Sequence, residues 1–245
     1  MPENELQSLC EQGQWHLEQM RYLEAEAALV RAEQLALRDG DFDTLARLYM
    51  PLQESRRQRR LICAEGTVQL DLLPESPSLQ PDAAEIARRS AQGQLLAAGW
   101  GSIAPGIELR RIATEKQLYL EAYLAAIYPI AGGGRAVAVV PTADVALPPP
   151  LPVPIDVLIR KLPPHSIVMN ADELPTGPRR GDAHTLAWTM SLWERLHLPF
   201  LAQADQTKDL KQRIAAYRRT IGVDYACELA HQKLSAAAHE IARMR

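Results

Sequence analysis

The sequence predicts an α/β domain inserted between two sets of helices, and three observations carry that expectation. Apolar positions recur at helical spacing at both ends of the 245-residue chain. The middle alternates β-rich runs with short helical segments, the pattern of an α/β layer with a largely parallel sheet. Each helical end alone would leave an apolar stripe exposed, so the two are expected to pack together with the centre as an insertion. The expected boundaries are 1–62 and 182–245 for the helical domain and 63–181 for the α/β domain.

At the N-terminal end, Leu6, Leu9, Gly13 and Leu17 form one helical stripe and Ala25, Leu29, Ala32 and Leu35 a second, with the break near Met20–Tyr22. Here the chain resembles a tetratricopeptide repeat. Gly13, Tyr22, Ala25, Leu29 and Ala32 fall where that pattern places its small and packing residues. It departs from the pattern at Gln12, where an apolar residue is usual, and at Met20-Arg21, which replaces the common Gly-Asp turn. A third helix is expected from DGDFDTLARLYM, capped by Asp41 or Asp43. Pro51 removes a backbone donor and crowds the preceding turn, which predicts a kink or a division into two pieces. The basic cluster Arg56, Arg57, Arg59 and Arg60 reads as a solvated helix face, since no aromatic residues interleave it.

At the C-terminal end, Asp182 is placed to cap a helix carrying Leu186, Met190, Trp193 and Leu196. Leu210, Ile214, Tyr217 and Ile221 make a second face, and Ala226, Ala230, Leu234, Ala237 and Ile241 a third, with Gly222 and Asp224 at the turn between. The segment AAYRRTIGVDYACELAHQKL also resembles the second helix and exit turn of a tetratricopeptide repeat, with Tyr225 where proline is usual. The resemblance implies protein or peptide binding on a concave helical surface, with Trp15, Tyr22 and Arg56 as candidate contacts.

In the centre, GTVQLDLL, GQLLAAGW, LYLEAYLAAIYPI, RAVAVVP and HSIVMN read as strands, and PDAAEIARRSAQ, IAPGIELRRIATEK and IDVLIRKL as helices. The Pro-rich segment 148–154 reads as a stiff connection, although Pro149 and Pro152 also make a P-x-x-P spacing of the kind that docks in aromatic-lined grooves. Gly132 to Gly134 precede a strand and read as a turn.

Two loops carry candidate chemistry. Gly99, Gly101 and Ala104 follow a strand and precede a helix, with Glu121 twenty positions beyond Gly101, a spacing that resembles the Rossmann dinucleotide fingerprint. That resemblance implies cofactor binding by Gly99, Gly101 and Ser102, with Glu121 on a ribose. The competing reading is a strand-to-helix turn, favoured by the bulk of Trp100 between the glycines and by the mid-strand setting of Glu121. The second loop, NADELPTGPRRGD, offers Asp172 and Glu173 as acid/base candidates and Arg179 and Arg180 as anion-binding candidates, set against an ordinary polar linker.

The balance of 27 Lys+Arg against 30 Asp+Glu provides no broad positive field for nucleic acid or membrane surfaces. Cys10, Cys63 and Cys227 form no paired spacing, the histidines form no metal-ligand spacing, and the N-terminus has no basic and apolar leader pattern, so a cytoplasmic protein without a metal is expected. The leading expectation is a non-enzymatic interaction or scaffold protein with a protein or peptide partner and no cofactor; a homo-oligomer is compatible with it. The alternative is a nucleotide- or dinucleotide-binding α/β enzyme that uses the Gly99–Gly101 loop and the Asp172–Glu173 loop together, which requires both loops at one edge of the sheet.

Overall fold

The computed structural model of the chain describes residues 2–244. The elements are α1 (Pro2–Glu18), α2 (Tyr22–Asp39), α3 (Phe42–Glu65), β1 (Thr67–Leu72), α4 (Ala83–Arg89), β2 (Gln92–Trp100), α5 (Ala104–Glu115), β3 (Tyr119–Pro129), β4 (Arg135–Val139), α6 (Ile155–Lys161), β5 (Ile167–Asn170), α7 (Ala183–Gln206), α8 (Leu210–Val223) and α9 (Glu228–Arg243). They form two compact units. One combines the chain up to Arg60 with the chain from His197 onward, and the other is Leu61–Leu196. The boundaries between units therefore fall within α3 and α7.

In the helical unit, α1 and α2 approach closely because Gly13 faces Leu29: a Cβ at Gly13 would lie 2.5 Å from Leu29 Cγ. The turn between them passes through Met20 at a φ of 57°. Helix α2 ends at Gly40, whose φ of 67° is left-handed, and Asp41 N donates back to Ala36 O at 2.8 Å, the bonding pattern that satisfies orphan carbonyls at a helix end. Asp41 then accepts from Thr44 N at 3.0 Å and caps α3, which settles the choice between Asp41 and Asp43. Pro51 does not divide α3, which runs as one helix to Glu65. Asp209 caps α8 by accepting from Gln212 N at 2.8 Å. Helices from both chain ends share one hydrophobic core: Leu29, Ala32, Leu45, Tyr49 and Leu52 are buried together with Leu201, Ala204, Ile214, Tyr217, Ala230, Leu234 and Ala238. Fully burying a leucine such as Leu29 contributes about 1.5–3 kcal/mol relative to exposure.

The other unit is a five-stranded sheet in the order β1-β2-β3-β4-β5. β1, β2 and β3 run parallel, joined by crossovers through α4 and α5, but β3 with β4 and β4 with β5 are antiparallel. The sheet is thus mixed rather than largely parallel. The physical reason is loop length: β3 ends at Pro129 and β4 starts at Arg135, and so short a link, built on Gly132, Gly133 and Gly134 at positive φ, closes only a hairpin, since a parallel return needs roughly a dozen residues.

β2 is buried from Gly93 to Gly99, and so shows the continuous apolar run of a strand covered on both faces. On one face, Leu95, Ala97, Leu120 and Ala122 pack with Ala83 and Ala87 of α4 and Leu109, Ile112 and Ala113 of α5. Further along, Leu124, Ala126, Tyr128, Ala136 and Ala138 meet Leu158 of α6 and the adjoining Leu162. On the opposite face, set by strand alternation, Tyr123 stacks on Trp193 of α7 with ring centroids 4.3 Å apart, and its hydroxyl donates to Thr189 O at 2.8 Å.

Candidate functional site

At the sheet edge, two antiparallel steps return β5 to the direction of β2, so the loops after Trp100 and after Asn170 leave from the same edge. Trp100, Ile127, Val137 and Met169 form one row across β2, β3, β4 and β5. Three strand spacings, on the order of 14 Å along the sheet, separate the two loops.

The other candidates in this unit are not gathered there. Glu121 pairs with Gln94, six positions before Ile127 on β3, which is roughly 20 Å back along the strand. It is buried, and so is Gln94, whose side-chain amide has no hydrogen-bond partner among the described residues. The fold therefore does not bring Glu121 to Gly101. The glycine turn is closed by this chain's own atoms. Gly99 N donates to Ser102 O at 3.0 Å, and Ser102 Oγ accepts from Ala104 N at 3.2 Å at the start of α5. Gly101 has a φ of 57°, and a Cβ there would meet Pro150 Cδ at 2.7 Å. Trp100 is half-buried, with its indole Nε1 enclosed. Pro150 itself sits in a tight turn, where Leu151 N donates to Pro149 O at 2.8 Å, so the P-x-x-P spacing does not continue as an extended polyproline ridge.

Asp172 and Glu173 are exposed on a single 3-10 turn, where Asn170 Oδ1 accepts from Asp172 N at 3.1 Å. Arg179 and Arg180 lie elsewhere. Arg179 exchanges two backbone hydrogen bonds of 2.8 Å with Val68 on β1, the strand at the opposite edge from β5, and Arg180 Nε reaches Glu65 O at 3.3 Å. The acidic pair and the arginine pair thus belong to different ends of the strand order. Asp182 caps α7, accepting from His184 N, Thr185 N and the Thr185 hydroxyl, and these bonds hold its carboxyl below the ordinary range.

The helical unit corrects the reading of the arginine cluster. Arg56 and Arg60 are buried, not displayed on a solvated face. Arg56 Nε and Arg59 Nη1 both donate to Glu26, at 2.9 and 2.8 Å. Burial alone would raise the Glu26 carboxyl, yet Arg56 and Arg59 outweigh it and hold the group below its usual range. Arg56 Nη1 lies 3.0 Å from His231 Nε2, while His231 Nδ1 lies 2.8 Å from Cys227 O. The Nδ1 tautomer satisfies both contacts, and burial, followed by the charge of Arg56, pushes this imidazole down to about 4. Arg60 donates to Asp224 Oδ1 at 2.8 Å, and the Arg59 and Arg60 guanidiniums lie over the Tyr225 ring. The sequence pattern concealed this because the acidic partners come from α2 and from the α8–α9 turn, far along the chain.

A concave feature that combines apolar and polar walls lies in this unit between α1 and α3. It is a groove of about 600 Å³ lined by Leu6, Gln7, Cys10, Glu11 and Gln14 from α1 and by Thr44, Arg47, Leu48 and Pro51 from α3, with Leu29 and Asp41 at its base and end. The side chains alternate in chemistry. Leu6, Leu29 and Leu48 supply an apolar floor, while Gln7, Glu11, Thr44 and Arg47 offer donors and acceptors at its rim. Burial raises the Cys10 thiol. Of the three residues named from sequence as protein contacts, Trp15 is half exposed, with Arg21 5.5 Å over its ring; Tyr22 is half-buried at the start of α2; Arg56 is in the ion network. None lines the groove. The available signal was the polar set Gln7, Glu11 and Gln14, which recurs at helical spacing beside the apolar stripe of α1.

No protein-family model, curated protein or solved structure matches the chain. Among the described residues no helix is long and apolar enough to cross a membrane, and no group of three or more His, Cys, Asp and Glu side chains is arranged to hold a metal ion.

Proposed function

We propose that the protein is a non-enzymatic interaction or scaffold protein that receives a peptide segment of a partner in the α1–α3 groove. The groove itself carries this reading: residues of α1 and α3 line it with an apolar floor and a mixed polar rim, the chemistry that recognises an extended or helical segment by a few anchors. The tetratricopeptide-like character of α1 and α2 is part of the same proposal. It is supported by the packing of the residues that carry the resemblance: Gly13 abuts Leu29, and Ala25 and Ala32 are fully buried.

The test is capture of partners from host lysate under mild conditions, comparing the native chain with a Gln7→Ala, Glu11→Ala, Arg47→Ala variant. A stoichiometric partner held by the native chain and lost from the variant supports the reading. Recovery of no such partner, or equal recovery by both proteins, overturns it.

A further inference from the structure

We propose that a second cleft in the helical unit, between α2, α3 and α8, binds a small phosphorylated or carboxylated molecule through its oxyanion. The cleft has a volume of about 360 Å³ and is lined by Glu33, Arg56, Ala215, Arg218, Arg219, Ile221 and Gly222. Its wall thus carries three guanidinium groups and one carboxylate, in a chain whose overall charge is −3. The single carboxylate is already engaged: Glu33 Oε1 accepts from the Tyr49 hydroxyl at 2.9 Å and from Arg218 Nε at 2.8 Å. Arg56 is held by Glu26, which it shares with Arg59, and by His231, which brings no negative charge. Arg219 has no acidic partner within the cleft wall or among the described ion pairs.

The inner part of the wall is fixed in place: Arg56 and Glu33 are buried, Arg56 held by Glu26 and His231 and Glu33 by Tyr49 and Arg218, so the cost of ordering that part is met by the fold, while Arg218 and Arg219 stand exposed at the mouth. Arg218 and Arg219, adjacent on α8, supply forked donors suited to a phosphoryl or carboxylate oxygen pair. Next to them a Cβ at Gly222 would meet nothing within 4 Å, and Ala215 and Ile221 add apolar wall. The space exceeds that of a bare oxyanion and leaves room for a small organic body.

The experiment is a titration of the full chain with inorganic phosphate, with acetate and with adenosine monophosphate at matched ionic strength, read by thermal shift and by the arginine Nε–H resonances. Saturable binding at millimolar ligand is expected, weakened at least about tenfold by Arg219→Gln and by Arg218→Gln and unchanged by Arg31→Gln, an exposed control on α2 that does not line the cleft. Response to phosphate and the nucleotide assigns a phosphoryl ligand, and response to acetate alone a carboxylate. Absence of saturable binding by all three, or equal weakening in all three folded variants, overturns the proposal.

Discussion

His197 Nδ1 lies 2.8 Å from Asp224 Oδ2, and the other oxygen of the same carboxylate receives Arg60 at 2.8 Å and Ala226 N at 3.1 Å. Asp224 is 2% exposed, so the turn between α8 and α9 is centred on a buried anion held by two cations. Burial alone would lower the His197 imidazole, but its bonds to Asp224 and Cys227 outweigh this and push it up to about 10. For Asp224, burial would raise the carboxyl, but Arg60 and His197 hold it below the ordinary range.

The sign of the pH dependence follows. The folded His197 value is raised, so its stabilisation is fully present below about pH 6.5, the free imidazole value, and is lost as pH rises through about 10. The lowered Asp224 value contributes above about pH 3.9 and is lost as pH falls below it. Urea unfolding midpoints should decline between about pH 6.5 and 10 in the native chain, and His197→Gln should flatten that decline. An unchanged alkaline slope in the variant would count against the assignment.

Removing the anion takes from buried Arg60 and half-buried His197 the carboxylate that both engage. Asp224→Asn is expected to cost about 3–5 kcal/mol in denaturant unfolding. A loss below about 1 kcal/mol, the range of exposed pairs, would show that the turn relaxes into water.

Gly13 and Leu29 make a paired test of helix packing. Gly13→Ala gains about 1 kcal/mol of helix propensity but overpacks Leu29, at a cost of about 1–3 kcal/mol, and is expected to be destabilising on balance. Leu29→Ala alone opens a cavity costing about 2–5 kcal/mol. The double variant should be more stable than the sum of the two losses, because each relieves the other. Strict additivity in a double-mutant cycle would deny the contact.

At Gly101 the left-handed backbone and Pro150 act together. Gly101→Ala is expected to lose about 1–3 kcal/mol by thermal or urea unfolding. Pro150→Ala removes the steric part but not the φ penalty, so Gly101→Ala in that background should remain destabilising by a smaller amount. Full rescue would assign the whole effect to the contact.

The order and type of the elements were legible because their signals are local. Alternation marked β1, the proline and aspartate before Ala83 marked α4, and helical stripes marked α1, α2, α8 and α9. The mixed sense of the sheet was legible only in the shortness of the Pro129-to-Arg135 link. What local pattern cannot convey is which distant residue answers a charge. Arg56 and Arg60 look solvated until Glu26 and Asp224 are placed against them by tertiary packing. Glu121 fell at a fingerprint distance in sequence, but its strand register sets it far from Gly101. The groove was half visible as the polar spacing Gln7, Glu11 and Gln14; its other wall, Thr44 and Arg47, required the α2–α3 turn to be built.

The backbone pairing of Arg179 with Val68 bears on how the protein behaves at high concentration. Residues 177–179 run beside β1, with Gly177 N also donating to Asp71 Oδ2 at 2.6 Å, so the outer side of that strand is already paired with the chain's own main chain at Val68. At the other border β5 spans only Ile167–Asn170. A border strand so short, and one interrupted at Val68 by the chain itself, give a reduced template for strand addition by another molecule, the route by which exposed sheet margins seed fibrous aggregates.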